Sequence, residues 1–140
     1  MAMHTGSCAC GQIGIRAACE PQTVSMCHFL LCQKRTGSTY SVHAYFPTED
    51  VRVAGTTKVY ARKGDSGAQV YFHFCPECGS TMCWEAEASP GKTGIPVGVF
   101  ADPTLTLRRP NGPWPCRQQP IDGRAIHPAA ELSESSAPRS

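Results

Sequence analysis

The stretch Cys75-Pro76-Glu77-Cys78-Gly79 (CPECG) has a counterpart far upstream, Cys8-Ala9-Cys10-Gly11 (CACG). Each is a pair of thiols followed by glycine. In the first, proline fixes φ near −65° and starts a tight turn. In both, glycine supplies a position that can take positive φ and lets the backbone approach a metal closely. In C-x-C the two side chains share one face of an extended chain, because residues i and i+2 point the same way. Two such pairs make four thiolates, the closed tetrahedral set of a structural zinc. A redox disulfide is the competing reading of C-x-x-C, but it belongs beside a βαβ pattern, and none flanks this knuckle. Bridging Cys10 to Cys75 ties positions 65 residues apart, so the free energy of metal binding counts as folding free energy.

The segments around these knuckles read as strands. Gln12 to Ala17 alternates, with Ile13 and Ile15 on one face. Tyr40 to Phe46 is aromatic and β-branched and stops at Pro47. Lys58 to Arg62 and Gln69 to Phe74 flank KGDSG, a turn by composition. Thr81 to Ala86 and Ile95 to Phe100 extend the set. With 13 glycines and 12 prolines in 140 residues, turn signals recur often enough to predict an all-β, mostly antiparallel fold. Leu31 to Ser38 is expected to hold a short helical turn. From Pro110, the run PNGPWPCRQQP excludes regular helix or a central strand. One domain over residues 1–127 is expected, with 128–140 as a polar tail in which AAELSE forms at most one turn of helix.

Charge and hydropathy exclude several classes. A net charge of +2 and a pI near 8.1 are too mild for a nucleic-acid footprint. No apolar run is long enough to span a membrane, and MAMHTGSC lacks the apolar core of a signal peptide. A cytoplasmic location is therefore expected. There, an odd count of nine cysteines reads as metal chemistry rather than disulfide staples. Cys19, Cys83 and Cys116 read as small buried hydrophobes.

The order of motifs (SCACG, then MCHFLLCQKRTGS, then FHFCPECGSTM) resembles the glutathione-dependent formaldehyde-activating enzyme family, which includes the centromere protein V group. The resemblance runs over residues 5 to 101, with Trp114 a looser further match. It implies a β-tent of two or three small antiparallel sheets tied by a structural zinc on Cys8, Cys10, Cys75 and Cys78. It implies a second, catalytic zinc held by three cysteines, two of which match Cys27 and Cys32. The third falls on Phe29, whose ring offers no lone pair, so one zinc per chain is expected rather than two. His28 matches the family's histidine and reads as a packing residue, because adjacent side chains on an extended chain point apart. His43, His73 and Cys83 are the other candidates to replace the missing ligand.

The activity implied is that of a carbon–sulfur lyase joining glutathione and formaldehyde, or acting on a related thiol substrate. Lys34 and Arg35 are candidates to bind the anionic thiol, since guanidinium grips carboxylate bidentately. Thr36, Gly37 and Ser38 form a turn whose amides are candidates for an anion. Two other classes fit the altered motif. One is a zinc-stabilised binding module that has lost its catalytic metal. The other is a redox protein cycling Cys27 and Cys32 between dithiol and disulfide.

Overall fold

A computed structural model describes residues 3–64, 66–102 and 116–117. Ten strands and one α-helix follow in order: β1 (His4–Ser7), β2 (Gly14–Ala17), β3 (Thr23–Cys27), α1 (Leu30–Thr36), β4 (Ser41–Pro47), β5 (Val51–Ala54), β6 (Lys58–Lys63), β7 (Gln69–Phe74), β8 (Thr81–Ala86), β9 (Lys92–Pro96) and β10 (Cys116–Arg117). They form two sheets. One is three-stranded, ordered β1-β2-β5; the other is seven-stranded, ordered β10-β3-β4-β9-β8-β7-β6. Every pairing is antiparallel except that of β10 with β3. This is the expected mostly-β architecture. No helix among the described residues is long and apolar enough to cross a membrane.

The two faces of the large sheet have different work. Alternation along a strand sends Ala44 and Phe46 of β4 one way and His43 and Tyr45 the other. The first face closes the core, where Ala44, Phe46, Ile95 and Cys83 are buried with Ile13, Ile15 and Ala17 of the small sheet. The second face carries a cross-strand row. Thr23 pairs with Tyr45, Tyr45 with Gly94, Gly94 with Trp84, Trp84 with Phe72, and Phe72 with Tyr60. Cross-strand partners in antiparallel sheets place their side chains side by side. The row is thus an aromatic ladder interrupted by one glycine, and the Trp84 indole fills the space that Gly94 leaves.

Several sequence expectations shift. The strand expected over Ile95 to Phe100 ends at Pro96, and Val97–Phe100 turns into a 3-10 helix. Proline lacks the N–H a ladder needs and presets the turn. Strands β1, β3 and β5 escaped the sequence reading because HTGS, TVSMC and VRVA are short and only weakly alternating. The helical turn expected near Leu31 is α1, capped by Gly37 at φ 71°. Cys116–Arg117 forms a two-residue strand at the sheet edge, where the proline-rich run permits one. The expected boundary at residue 127, the tail 128–140 with its AAELSE turn, and Trp114 lie outside the described residues.

Candidate metal centre and thiol cavity

Cys8, Cys10, Cys75 and Cys78 converge, with all four sulfurs within 4.8 Å of one another. Cys8 Sγ lies 3.6 Å from Cys10 Sγ, and Cys10 Sγ lies 3.7 Å from Cys75 Sγ. A tetrahedral zinc with Zn–S bonds near 2.3 Å separates its sulfurs by roughly 3.8 Å, so the cluster fits the ion. The knuckles are held by their own backbone. Gly11 N–H donates to the Cys8 carbonyl at 3.0 Å and Gly79 N–H to the Cys75 carbonyl at 2.9 Å. Ser80 Oγ accepts from the Ala9 amide at 3.1 Å and sits 3.3 Å from Cys78 Sγ, linking the two turns.

The sulfurs are prepared unequally for a cation. Hydrogen bonds from the Ser80 hydroxyl and from the Ser80 and Cys10 amides hold Cys78 down to about 5. Desolvation works to raise Cys8, but the Ile13 amide, which donates to Cys8 Sγ at 3.2 Å, together with the Cys10 and Cys75 thiols outweighs it and lowers Cys8. Against the opposing Gln12 amide, desolvation and the three neighbouring thiols push Cys10 up to about 12. Four thiols this close cannot all ionise alone, and a divalent cation removes the conflict by deprotonating its ligands.

The second constellation opens on the aromatic face of the large sheet. Cys27 ends β3, and Cys32 lies in α1. Cys27 Sγ donates to Cys32 Sγ at 3.4 Å. Both line a cavity of about 340 Å³ floored by Tyr45, Trp84 and Phe72. On a helix, residues three apart share a face, so Arg35 follows Cys32 into the cavity, whereas Lys34 is exposed outside it. Arg35 Cζ sits 5.0 Å from the Trp84 ring centroid and 5.1 Å from that of Phe72. Arg62, from β6, sits 5.1 Å from the Phe72 centroid and reaches Cys32 Sγ at 3.9 Å through Nη2. The Cys27 hydrogen bond, with the positive charges of Arg35 and Arg62, overcomes burial and holds Cys32 down to about 6.

Phe29 lines the same cavity as the two thiols. Among the described residues, no third His, Cys, Asp or Glu joins Cys27 and Cys32 in a cluster able to hold a metal. His28 lies outside the cavity, with its ring 5.9 Å from that of Tyr40. His43 lines it, 2.8 Å from Ser25 Oγ through Nε2. His73 and Cys83 pair across β7 and β8 away from the cavity, and burial pushes Cys83 up to about 12. The donor set therefore does not fit a second zinc of the usual three-ligand kind.

The turn after α1 does not offer its amides to an anion as expected. Gly37 N–H donates to the Gln33 carbonyl and Ser38 N–H to Thr36 Oγ1. Cys19 is partly rather than fully buried. Arg62 was missed from sequence. Its alternation partner on β6, the exposed Tyr60, carries no signal of a cavity, and only the pairing of β6 with β7 brings Arg62 beside Phe72.

The family model described as glutathione-dependent formaldehyde-activating enzyme matches residues 3–113. The chain belongs to this family. A crystal structure of a Rhodobacter sphaeroides protein shares the fold at a TM-score of 0.58 and 20% identity, covering 81% of this chain and 99% of that one. No curated protein sequence matches the chain.

Proposed function

We propose that the protein is a carbon–sulfur lyase of the formaldehyde-activating type, joining a thiol such as glutathione to an aldehyde carbon or releasing it again. The observation that carries this reading is Cys32 held near pKa 6 beside Arg35 and Arg62 in a cavity of about 340 Å³. Cys27 and Cys32 are the catalytic pair. An ordinary thiol has a pKa near 8.5 and is mostly protonated at neutral pH. The Cys32 thiolate takes the proton of the incoming thiol as the substrate sulfur forms its bond to the carbonyl carbon. The carbonyl π pair moves to oxygen, and Cys32 returns the proton there. Cys27 donates to the thiolate and keeps it aimed into the cavity. Arg35 lines the cavity and places positive charge beside the reacting sulfur, while Lys34 stands outside it.

Zinc on Cys8, Cys10, Cys75 and Cys78 supplies structure, and no step passes through a second metal. A reducing compartment such as the cytoplasm suits the reading, because the step needs Cys32 as a thiolate. The test is exchange between formaldehyde, glutathione and S-hydroxymethylglutathione, followed by NMR line shapes. Wild type should accelerate exchange, and Cys32→Ser should lose about a hundredfold or more of that acceleration. Exchange no faster than in buffer would leave the alternative of a zinc-stabilised binding module, which the missing third donor at Phe29 favours. The 3.4 Å approach of Cys27 and Cys32 also favours a redox pair. Thiol titration with and without reductant separates that reading, since an unchanged count of thiols rules it out.

A further inference from the structure

The cavity around Cys32 has an unusual charge balance. Arg35, Arg62 and Lys92 line it, and no described lining residue is Asp or Glu. Arg35 and Arg62 crowd a single ring, each with Cζ 5.1 Å from the Phe72 centroid. Burial disfavours the Arg35 charge, and the like charge of Arg62 adds to that. The aromatic faces offset part of this but satisfy no N–H. Arg35 Nε is buried with no hydrogen-bond partner. A buried guanidinium donor without an acceptor is costly, and the planar acceptor that fits the fork is a carboxylate. Formaldehyde offers these groups one carbonyl oxygen, with no negative charge and no second oxygen to match the fork.

The position of the pair narrows the ligand further. Arg62 Nη2 stands 3.9 Å from Cys32 Sγ. A carboxylate bound there lies close to the carbon that meets sulfur in the cavity. The carboxylates of glutathione are several flexible bonds from its own sulfur, whereas that of a 2-oxo acid is bonded directly to the carbonyl carbon. We propose that Arg35 and Arg62 form a carboxylate subsite beside Cys32, and that the aldehyde joined to sulfur here carries its own carboxylate, as a 2-oxo acid of glyoxylate size does. The thiol adds across the aldehyde C=O. One S–C bond forms, the π pair moves to oxygen, the thiol proton ends on that oxygen, and the carboxylate is unchanged. No electrons leave the reactants. The inference rests on the lyase reading for the carbon–sulfur step, while the subsite itself is testable without turnover.

The chain has two tryptophans, so in a Trp114→Phe background the emission reports Trp84 alone, which stacks on Arg35. The zinc-loaded protein is titrated with glyoxylate, acetaldehyde and glutathione separately. Acetaldehyde adds to thiols as glyoxylate does but lacks the carboxylate. Glyoxylate should give a saturable change in emission at concentrations about tenfold or more below acetaldehyde. Arg35→Met and Arg62→Met should each weaken the glyoxylate response by a similar factor and leave acetaldehyde unmoved. Arg62 lies on the edge strand β6, so its variant serves if Arg35→Met fails to fold, as a melting curve would reveal. Equal responses to the two aldehydes, or a glyoxylate response that both variants retain, would overturn the subsite. A response to glutathione alone, lost in both variants, would move the carboxylate to the thiol partner and overturn the aldehyde assignment. Failure to accelerate any thiol–aldehyde exchange would count against the lyase reading and leave the titration result standing.

Discussion

Gly94→Ala tests whether the aromatic floor of the cavity is built around a missing side chain. A Cβ at position 94 would lie 2.8 Å from Trp84 Cζ2 and closer still to Cε2 and Nε1. Carbon atoms pack at about 3.5–4.0 Å, so the indole has to retreat by about 1 Å. It has little room. His43 stands 5.1 Å away on one side, Phe72 5.6 Å away on another, and Arg35 lies 5.0 Å over the ring. Overpacking of a filled site costs about 1–3 kcal/mol. At about 3–6 °C per kcal/mol for a domain near 130 residues, the melting temperature should fall by about 3–18 °C. The assay is thermal unfolding by circular dichroism, with Trp84 emission in a Trp114→Phe background as the local readout. In a Trp84→Leu background the clash is gone, and the added cost of Gly94→Ala should shrink to about 0.5 kcal/mol or less. A melting temperature within about 2 °C of wild type, or the same penalty in both backgrounds, would refute the packing argument.

The remaining predictions concern sulfur. Freshly purified protein should carry one zinc per chain by elemental analysis, and Phe29→Cys, which places a thiol in the cavity beside Cys27 and Cys32, should raise the content toward two; no increase would show that the cavity cannot close around a metal. Cys78→Ser, or prolonged chelation, should lower the melting temperature by about 10 °C or more, because structural zinc contributes folding free energy outright; an unchanged melt would separate the knuckles from stability. Alkylation by iodoacetamide in a background that spares the zinc cysteines should follow the Cys32 thiolate. Lowering its pKa from 9.0 to about 6 makes the anion available at lower pH, so the rate should rise with pH through a midpoint near that value and level off about one to two units higher. Arg62→Met removes both a charge and a hydrogen bond that favour the anion, so the midpoint should move up; a midpoint that stays or falls would contradict the assignment.

The family motifs were legible because they are local. CACG and CPECG each carry their own turn geometry, and two thiols separated by one or two residues aim at one point whatever the rest of the chain does. The helix around Cys32 needed only the stretch LLCQKRT. Once α1 is granted, Arg35 shares a face with Cys32 and Lys34 does not, yet the short stretch shows no clear amphipathic stripe to say which face looks inward.

What the sequence by itself determined is the fold class and the two thiol knuckles, each of which rests on residues close together in the chain. The tertiary structure alone decided the cavity. Arg62 is 30 residues from Cys32, and Tyr45, Gly94, Trp84 and Phe72 come from four strands. Strand register sets which of those side chains stand side by side, and a slip of one residue would send each to the opposite face of the sheet. Local pattern says that a residue alternates; only the pairing of strands says what it alternates against.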